Sequence, residues 1–481
     1  MSTANSVLDP KTSPTFPIAA KATLRDTQLR KNVRHATEVI QNKRARVVGE
    51  MPDWQQLRES GKQIREHAMA NLDYYLEEFE RNCTRAGGKV HWARDGEEAK
   101  RIVVELAKQH ASPEKPEVIK IKSMTTEEIH LNIALEAAGI KAYETDLAEL
   151  IIQLGHDQPS HIVVPALHKN RQQIREIFQR EMNLPELGDK PQDLADAARR
   201  FLREKFLRVN TAVSGANFLI AETGGVCIVE SEGNGRMCLT LPDTLITIAG
   251  IDKILPRYQD LEVMLQLLPR SATGERMNPY NSIWTGVHAG DGPQNFHVVL
   301  MDNARTSVLA DGEGRQTLNC IRCAACQNAC PVYRQTGGHA YGSVYAGPIG
   351  AILTPQLQQL HHAQTLPYAS SLCGACYEVC PVKINIPEVL IHLRNKVVKQ
   401  KGSLNPEALA MKTVGAIFKS ERRFRAAQRL GRVAETPLVG KDGWIGWLPG
   451  MLGGWTQVRD LREMPKETFR DWWEKRGKRG N

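Results

Sequence analysis

The sequence predicts an α/β protein in which a parallel sheet is followed by a cysteine-rich segment of a different kind. Between about residues 85 and 305, short apolar runs that suit strands alternate with stretches of helical periodicity. This alternation is typical of parallel strands joined by crossover helices. Over residues 306–400 the alternation stops and two cysteine runs take its place, so we expect a second domain there.

The elements of the first region follow in order. A helical pattern from about Trp54 to Arg85 ends at Gly87 and Gly88, and residues 1–84 are predicted to form a helical N-terminal extension. Asp95 opens the next helix, and another capped helix, TTEEIHLNIALEAAG, ends at Gly139. HIVVPAL and the helix KNRQQIREIFQREM continue the region. The strand-like runs are KVHWA, EVIKIKS, IKAYET, NFLIAE, GVCIVE, TLITIAG and FHVVLMD.

The remaining residues, 401–481, are predicted to form a basic, Trp-rich C-terminal extension. A helix with Pro387 near its start and Gly402 past its end precedes it. The extension holds 17 Lys/Arg and 9 Asp/Glu, so it carries most of the chain's net charge of +9. Because the rest is nearly neutral, a broad nucleic-acid-binding surface is not expected. The basic piece SERRFRAAQRLGR either lies on anionic lipid as a peripheral membrane contact or docks on an acidic partner, which we favour.

Composition bounds the class of protein. With 481 residues, 41% hydrophobic and 24% charged, the chain suits a globular protein of two or three domains. A membrane-spanning helix needs about 18 consecutive apolar residues, and no stretch approaches this length. The first residues lack the pattern of a secretory signal. Ten cysteines in such a chain indicate reduced thiols or metal ligands in a cytoplasmic protein.

The two cysteine runs repeat each other at an offset of fifty residues. CIRCAACQNACP begins at Cys320, and SSLCGACYEVCP begins at Ser370. At this offset Cys323, Cys326 and Cys330 fall on Cys373, Cys376 and Cys380, respectively, whereas Cys320 falls on Ser370. The repeat therefore offers seven matched thiols and one serine.

CxxCxxCxxxCP is the pattern that holds iron-sulfur clusters, with its last cysteine reaching a second cluster. This crossed arrangement predicts two clusters, most simply both [4Fe-4S]. Zinc is the competing cofactor, since paired CxxC units also form tetrahedral sites, but four cysteines within eleven residues suit one zinc ion poorly. The first predicted ligand set is Cys320, Cys323, Cys326 and Cys380, and the second is Cys330, Cys373 and Cys376.

The fourth ligand of the second cluster is open at this point. Ser370 can ligate through its oxygen, the site can hold a [3Fe-4S] cluster, or one iron can stay open to a small hydroxy acid. Another cysteine can also supply the ligand, although the remaining ones suit ordinary core positions. These are Cys83, Cys227 and Cys238.

Other chemical signals are weaker. The usual motifs of phosphate loops, dinucleotide sites, serine hydrolases and zinc proteases are missing. The glycines of AETGGVCIVESEGNG are interpreted as turns between strands. Several polar residues follow predicted strands, where parallel sheets place ligand sites, but each can equally cap a helix or face solvent. These are Lys122, Ser123, Glu144, Asp146, His168, Lys169 and Arg171, with His361 and His362 between the cysteine runs.

Several motifs together resemble the lactate utilization protein B family, the iron-sulfur proteins of the bacterial L-lactate utilization system. They are KSMTTEE, YETDLAELIIQL, HIVVPALHKNR, FLIAETGGVCIVESEGN and the doubled cysteine runs with YAGPIGAILTP between them. The resemblance runs from about residue 15 to the end. It implies an α/β lactate-utilization (LUD) domain similar to the coenzyme A transferase and sugar-phosphate isomerase fold, then an α-helical ferredoxin domain. It carries the cluster ligands onto the seven cysteines of the runs and no catalytic residue onto the chain.

The resemblance implies a role in oxidising L-lactate to pyruvate, and it leaves three hypotheses. In the first, this chain is an electron-transfer subunit that works with two companion proteins and an electron acceptor of unknown identity. In the second, the α/β domain itself binds and oxidises the hydroxy acid, with the clusters as its electron outlet. In the third, metal only holds the fold together.

Overall fold

A computed structural model describes residues 8–402, 404–457 and 459–477. The chain divides into two compact units, one up to Val397 and one from Val398 onward. The predicted boundaries near residues 84 and 305 fall inside the first unit and stay predictions. Residues 1–7, 403, 458 and 478–481 of the predicted extensions lie outside the described residues.

The first unit begins with helices where the sequence predicts them, but the expected helix from Trp54 to Arg85 is two helices. Asn71 separates them with φ −126° and ψ 39°, and its side-chain amide donates to the carbonyl of His67 at 2.9 Å. Asparagine competes with the helical backbone for hydrogen bonds in this way. The helices are α1 (Phe16–Thr23), α2 (Thr27–Gly49), α3 (Trp54–Ala70) and α4 (Leu72–Arg85).

Ten strands among the described residues of the first unit form two sheets. The larger sheet has the order β1-β10-β7-β4-β2-β3, and every pair in it is parallel. This confirms the predicted parallel α/β class. The strands are β1 (Lys89–Ala93), β2 (Glu117–Lys120), β3 (Lys141–Glu144), β4 (Thr211–Ser214), β5 (Phe218–Ile220), β6 (Gly225–Glu230), β7 (Thr244–Gly250), β8 (Ile254–Leu255), β9 (Tyr280–Trp284) and β10 (Asn295–Met301).

The smaller sheet has the order β8-β5-β6-β9 and is mostly antiparallel. Its strands β5 and β6 are the runs NFLIAE and GVCIVE, which therefore lie outside the parallel sheet. The turn between them needs Gly224, whose φ is 67° and whose position leaves no room for a Cβ against the backbone of Cys83. At least this glycine of the Gly-rich run is a turn residue, as predicted.

Helices connect the strands of the α/β region. Asp95 caps α5, since its side chain accepts from the backbone N–H of Glu98 at 2.9 Å. The expected single helix after β2 is broken at His130, which has a left-handed φ of 53°, and HIVVPAL forms turns. The helices are α5 (Gly96–His110), α6 (Met124–Glu128), α7 (Leu131–Ala137), α8 (Leu147–Leu154), α9 (Arg171–Glu181), α10 (Pro191–Arg208), α11 (Asn234–Thr240) and α12 (Asp260–Ala272).

The cysteine region consists of short helices and 3₁₀ turns. Its helices are α13 (Arg305–Ala310), α14 (Ala325–Ala329), α15 (Tyr333–Thr336), α16 (Gly347–Leu357), α17 (Ala375–Val379) and α18 (Ile386–Lys401). Gly402 follows α18 with φ 76°, so the predicted helix ends at the expected glycine. The 3₁₀ turns of the first unit are Ile251–Lys253, Gly314–Asn319, His339–Tyr341 and Leu366–Tyr368.

The second unit holds helices with little buried surface. The helices α19 (Pro406–Phe418) and α20 (Glu421–Glu435) have no buried residue, and β11 (Trp444–Ile445) pairs antiparallel with β12 (Leu461–Arg462). Two short helices, α21 (Gly453–Thr456) and α22 (Phe469–Gly477), and the 3₁₀ turns Thr436–Leu438 and Gly450–Leu452 complete it. Within the described parts of both units, no helix combines the length and apolarity needed to cross a membrane.

Candidate iron-sulfur site

The first cysteine run forms a tight loop followed by one turn of helix. Arg322 and Ala324 both adopt φ 60°, a left-handed conformation that is uncommon outside glycine. The backbone of the loop turns back towards Cys320, so that Cys320 Sγ accepts from the backbone N–H of Arg322 at 3.4 Å. Helix α14 then leads to Cys330, whose Sγ accepts from the N–H of Tyr333 at 3.4 Å.

The second run repeats this backbone. Leu372 and Gly374 are left-handed at φ 54° and 83°, and α17 has the same five-residue length as α14. Ser370 Oγ accepts from the N–H of Leu372 at 3.1 Å, as Cys320 Sγ does from Arg322. The serine is therefore held in the same local contact as the cysteine that it replaces.

Four of the predicted ligands line one cavity. Cys320, Cys323 and Cys326 come from the first run and Cys380 comes from the second. The other walls are mostly apolar and come from both runs and from α16 and α18, with Ile321, Ala324, Ile349, Pro381, Val382, Ile384 and Ile386.

The donor set of this cavity suits a thiolate-bound metal cluster. Burial raises the pKa of Cys323 and Cys326 well above the ordinary thiol value and that of Cys380 to about 11. Neighbouring cysteines raise these pKa values further, so the thiols stay protonated unless a metal takes the place of the protons. Four soft sulfur donors in an apolar pocket are the surroundings that an iron-sulfur cluster needs.

The remaining three cysteines form a second group nearer the surface. Cys330 and Cys376 are buried, whereas Cys373 is exposed and Ser370 is half-buried. Burial raises the pKa of Cys376 to about 12, and the proximity of Cys330 and Cys373 raises it further. The three thiols are therefore close enough to interact electrostatically.

Arginines from the N-terminal helices hold the second run against the first group. Arg58 of α3 donates to the carbonyls of Cys380 at 2.9 Å and Tyr377 at 3.0 Å. Arg44 of α2 donates to the carbonyl of Val379 at 3.1 Å. The cavity that Cys380 completes thus depends on helices about 300 residues earlier in the chain.

A buried ion-pair network joins the α/β region to the first run. Arg305 donates to both carboxylate oxygens of Glu128, at 3.0 and 2.9 Å, and to Asp252 at 2.6 Å. Arg322 donates to the other oxygen of Asp252 at 3.3 Å. Burial disfavours the charged form of both carboxylates, but the attraction of the arginines is stronger than this effect and lowers the pKa of both acids. Both acids therefore stay charged in the core.

Comparisons with known proteins agree with this architecture. A LUD domain model matches residues 76–301, a 4Fe-4S dicluster domain model matches residues 316–384, and the C-terminal domain model of lactate utilisation protein B matches residues 392–478. Lactate utilization protein B of Shouchella clausii is 42% identical over 95% of this chain and 96% of its own length. The chain belongs to the lactate utilization protein B family.

Two further matches add to this comparison. Lactate utilization protein B of Bacillus subtilis is 42% identical over 92% of each chain. A solved duf162 family structure from Deinococcus radiodurans covers 48% of this chain and 98% of its own, but its identity of 13% and TM-score of 0.27 support no inference. The match to the 4Fe-4S dicluster domain covers both cysteine runs, and this lactate utilization protein B homologue carries iron-sulfur clusters on these clustered cysteines.

The other residues that the sequence singled out have different surroundings. Glu144 is buried and pairs with Lys120 at 2.7 Å, and Asp146 caps α8 through the N–H groups of Ala148 and Glu149. His168 and Lys169 both contact Asp157. Arg171 begins α9, and His361 and His362 are exposed. Lys122, Ser123 and Asp146 line a cavity of about 220 Å³ at the edge of the parallel sheet.

Burial also raises the pKa of Cys83, Cys227 and Cys238 to about 12. All three are fully enclosed in the apolar core, and Cys238 Sγ lies 3.6 Å from the hydroxyl of Thr145. These are the surroundings of ordinary core cysteines.

The cations around the sites were not predicted from the sequence. Arg322 had a signal that could have been noticed, since it lies between Cys320 and Cys323. Lys253, Arg58 and Arg65 carry no motif, and only the fold brings them near the cysteines.

Proposed function

We propose that this chain relays electrons in the oxidation of L-lactate to pyruvate, as a cytoplasmic subunit that works with companion proteins. The oxidation releases two electrons and two protons, and an iron-sulfur cluster passes on one electron at a time. The observation that carries the proposal is the pair of cysteine groups. The loops of the two runs have the same backbone conformation, and Cys380 of the second run lies with the cysteines of the first.

In this proposal Cys320, Cys323, Cys326 and Cys380 hold one [4Fe-4S] cluster, and Cys330, Cys373 and Cys376 hold the other with Ser370 in the fourth position. The hydrogen bond between Ser370 and Leu372 supports this position, because it matches the contact of Cys320 with Arg322. Because Cys373 is exposed, the second cluster would lie nearer to a docked electron-transfer partner than the first cluster. Electrons pass faster over a short distance between cofactors, so the second group is the expected exit of the relay.

The chain's own residues prepare these sites. Arg44 and Arg58 place positive charge near Cys323 and Cys380, which offsets part of the cost of burying thiolates. Arg322 also places positive charge beside Cys320, and its hydrogen bond to Asp252 holds it in this position. The apolar walls around the first group exclude water, which protects bound sulfide and tunes the potential.

The test starts with anaerobically purified protein. Iron, acid-labile sulfide and zinc are measured per chain, and visible absorption and electron paramagnetic resonance (EPR) are then followed after addition of L-lactate, with and without the companion proteins. We expect iron and sulfide at both sites, and bleaching only when the companions are present. Bleaching by lactate alone would instead assign the oxidation to the α/β domain. Colourless protein that contains zinc and no sulfide would overturn the proposal.

A further inference from the structure

The cavity of about 220 Å³ lies at the point where the order of strand addition in the parallel sheet reverses. Along the chain, β2 is followed by β3 on one side of it, whereas β4 is followed by β7 on the other side. The connections therefore leave in opposite directions at the β2–β4 pair. In open α/β sheets the crevice at the carboxyl ends of such a pair is the usual place for a ligand.

Three neighbouring strands send residues into this cavity from their carboxyl ends. Lys122 and Ser123 follow β2, Gly215 follows β4, and Lys253 follows β7. Gly215 allows the segment after β4 to approach the segment after β2, since a Cβ at this position would lie 2.2 Å from Ser123 Oγ. Arg322 of the first cysteine run also lines the cavity. The cavity thus joins the sheet edge to the candidate iron-sulfur site.

Lys253 is the group that points to a ligand. Its side chain is only 8% exposed and lines the cavity, yet it has no hydrogen bond or ion pair with any residue that the structure describes. Arg322 adds a buried Nε that also lacks a hydrogen-bond partner within the described chain. Burial and the nearby Arg322 lower the pKa of Lys253 to about 7, and the attraction of Asp252 opposes this shift only in part. An anion bound beside Lys253 would favour its charged form.

The acidic residues at the cavity already have partners. Asp146 accepts from two N–H groups at the start of α8, and Glu230 accepts from the N–H groups of Glu232 at 2.8 Å and Gly233 at 2.6 Å. Glu275 pairs with Lys43 at 3.4 Å. Asp252, the chain neighbour of Lys253, attracts it electrostatically but is hydrogen-bonded to Arg305 and Arg322. Among the described residues, no carboxylate therefore forms a hydrogen bond or ion pair with Lys253.

We propose that this cavity binds a small monocarboxylate, with the carboxylate between Lys253 and Arg322. The volume far exceeds the roughly 10–15 Å³ that one water molecule needs, and it is below the about 300 Å³ at which pockets for drug-sized ligands begin. Apolar side chains, among them Ile162, Val163 and Leu268, offer contacts for a short carbon chain. The choice of lactate or pyruvate within this class rests on the proposed function.

The position gives the ligand a direct relation to the first cysteine group. Arg322 Nη1 donates to the carbonyl of Cys320 at 3.2 Å, and its backbone N–H contacts Cys320 Sγ. A carboxylate on Arg322 therefore changes the charge beside Cys320. We expect its binding to alter the EPR spectrum of the first cluster even when no electron is transferred.

The test is anaerobic calorimetry on the full-length holoprotein with L-lactate, pyruvate and inorganic phosphate as separate probes. At least one of the two carboxylates should bind saturably. Lys253→Met should weaken binding about tenfold or more, because one charge-assisted contact is lost. Ala216→Leu, which narrows the cavity without a change of charge, should also weaken it. Lys62→Met is the matched control, since Lys62 lies on α3 between Glu59 and Glu66 and should bind as the wild type does.

The inference fails if neither carboxylate binds, if only phosphate binds, or if Lys253→Met and Ala216→Leu both bind as the wild type does. Iron and sulfide contents and the melting temperature of the same samples identify a variant that has not folded; the other variant then decides. Intact, reducible clusters without carboxylate binding would overturn this inference alone. Carboxylate binding to protein that lacks iron and sulfide would overturn the proposed electron relay alone.

Discussion

The two cysteine groups share a loop but differ in what surrounds it. In the first group Cys323, Cys326 and Cys380 are buried and only Cys320 is half-buried, whereas in the second group Cys373 is exposed. At equivalent places in the repeat, the first run has the buried Arg322 and the second has the exposed Leu372. The local sequence thus sets the position of the sulfurs, and the rest of the fold sets their burial and charge.

The surroundings of the first group come from distant parts of the chain. Arg44, Arg58 and Arg65 reach it from α2 and α3, and Asp252 reaches it through Arg322 from the end of β7. At the second group, Arg334 places positive charge beside Cys330, and Arg394 of α18 donates to the carbonyl of Ser370 at 3.4 Å. The first group is therefore tied to the α/β region, whereas the second group reaches the surface at Cys373. Four changes can break or sharpen the comparison.

The largest effect is expected from Cys380→Ala, compared with Cys373→Ala. Each variant should lose about half of the iron, since each removes one ligand of a different cluster. Cys380→Ala should also lower the melting temperature far more, because it opens a buried cavity and leaves three thiols without metal, two of them buried. Iron per chain and thermal unfolding measure this. Cys238→Ala, at a core cysteine outside both groups, should keep its iron; equal melting temperatures for the first two variants would contradict the difference between the sites.

This difference could not be predicted from the sequence, although the iron-sulfur cofactor could. The spacing of the cysteines and the alternation of strands and helices are local, and they predicted the iron-sulfur cofactor, the parallel sheet and the cap at Asp95. The assignment of single cysteines to each cluster stays a prediction. Arg58, Lys253 and Arg322 lie far apart in sequence and meet only in the fold. The breaks at Asn71 and His130 were also missed, because each depends on a single residue within an otherwise helical pattern.

The next largest effect is expected from Arg305→Met. It leaves Glu128 and Asp252 buried with one partner fewer, and loss of one member of a buried ion pair typically costs about 3–5 kcal/mol. Because Asp252 also holds Arg322, the EPR signal of the first cluster should disappear before that of the second on heating. Arg276→Met is the control, since loss of its exposed pair with Glu50 should leave stability nearly unchanged. Loss of both signals together would contradict this expectation.

A smaller effect is expected from acid, through His161. Its Nε2 donates to Asn328 between the last two cysteines of the first run, and its Nδ1 accepts from the N–H groups of Val163 and Val164. Burial lowers the pKa of His161 from 6.5 to about 4. The folded state therefore binds the proton more weakly than the unfolded state does, and stability is lost as the pH falls from about 6.5 towards 4.

For this single group the loss should reach about 2 kcal/mol at pH 5. His161→Gln should unfold more easily than the wild type at pH 7.5, but its stability should change less between pH 7.5 and 5.5. Denaturant unfolding under anaerobic conditions at the two pH values measures both effects. Glu378 is exposed at the position in the second run that corresponds to Asn328, and it forms no hydrogen bond with a histidine among the described residues. Glu378→Gln should therefore keep the wild-type pH dependence. An unchanged pH dependence in His161→Gln would remove His161 as the cause.

The smallest effect on stability, and the sharpest on the comparison, is expected from Ser370→Cys. If Ser370 Oγ occupies the fourth position, this change gives the second run the same ligand set as the first. The variant should lose any EPR signal of an oxidised [3Fe-4S] cluster and keep its iron longer in air, whereas Ser370→Ala should strengthen that signal. Ser371→Cys is the matched control, because Ser371 is exposed one residue along and should behave as the wild type does. A response to Ser371→Cys that equals the response to Ser370→Cys would show that the match between Ser370 and Cys320 has no bearing on the metal.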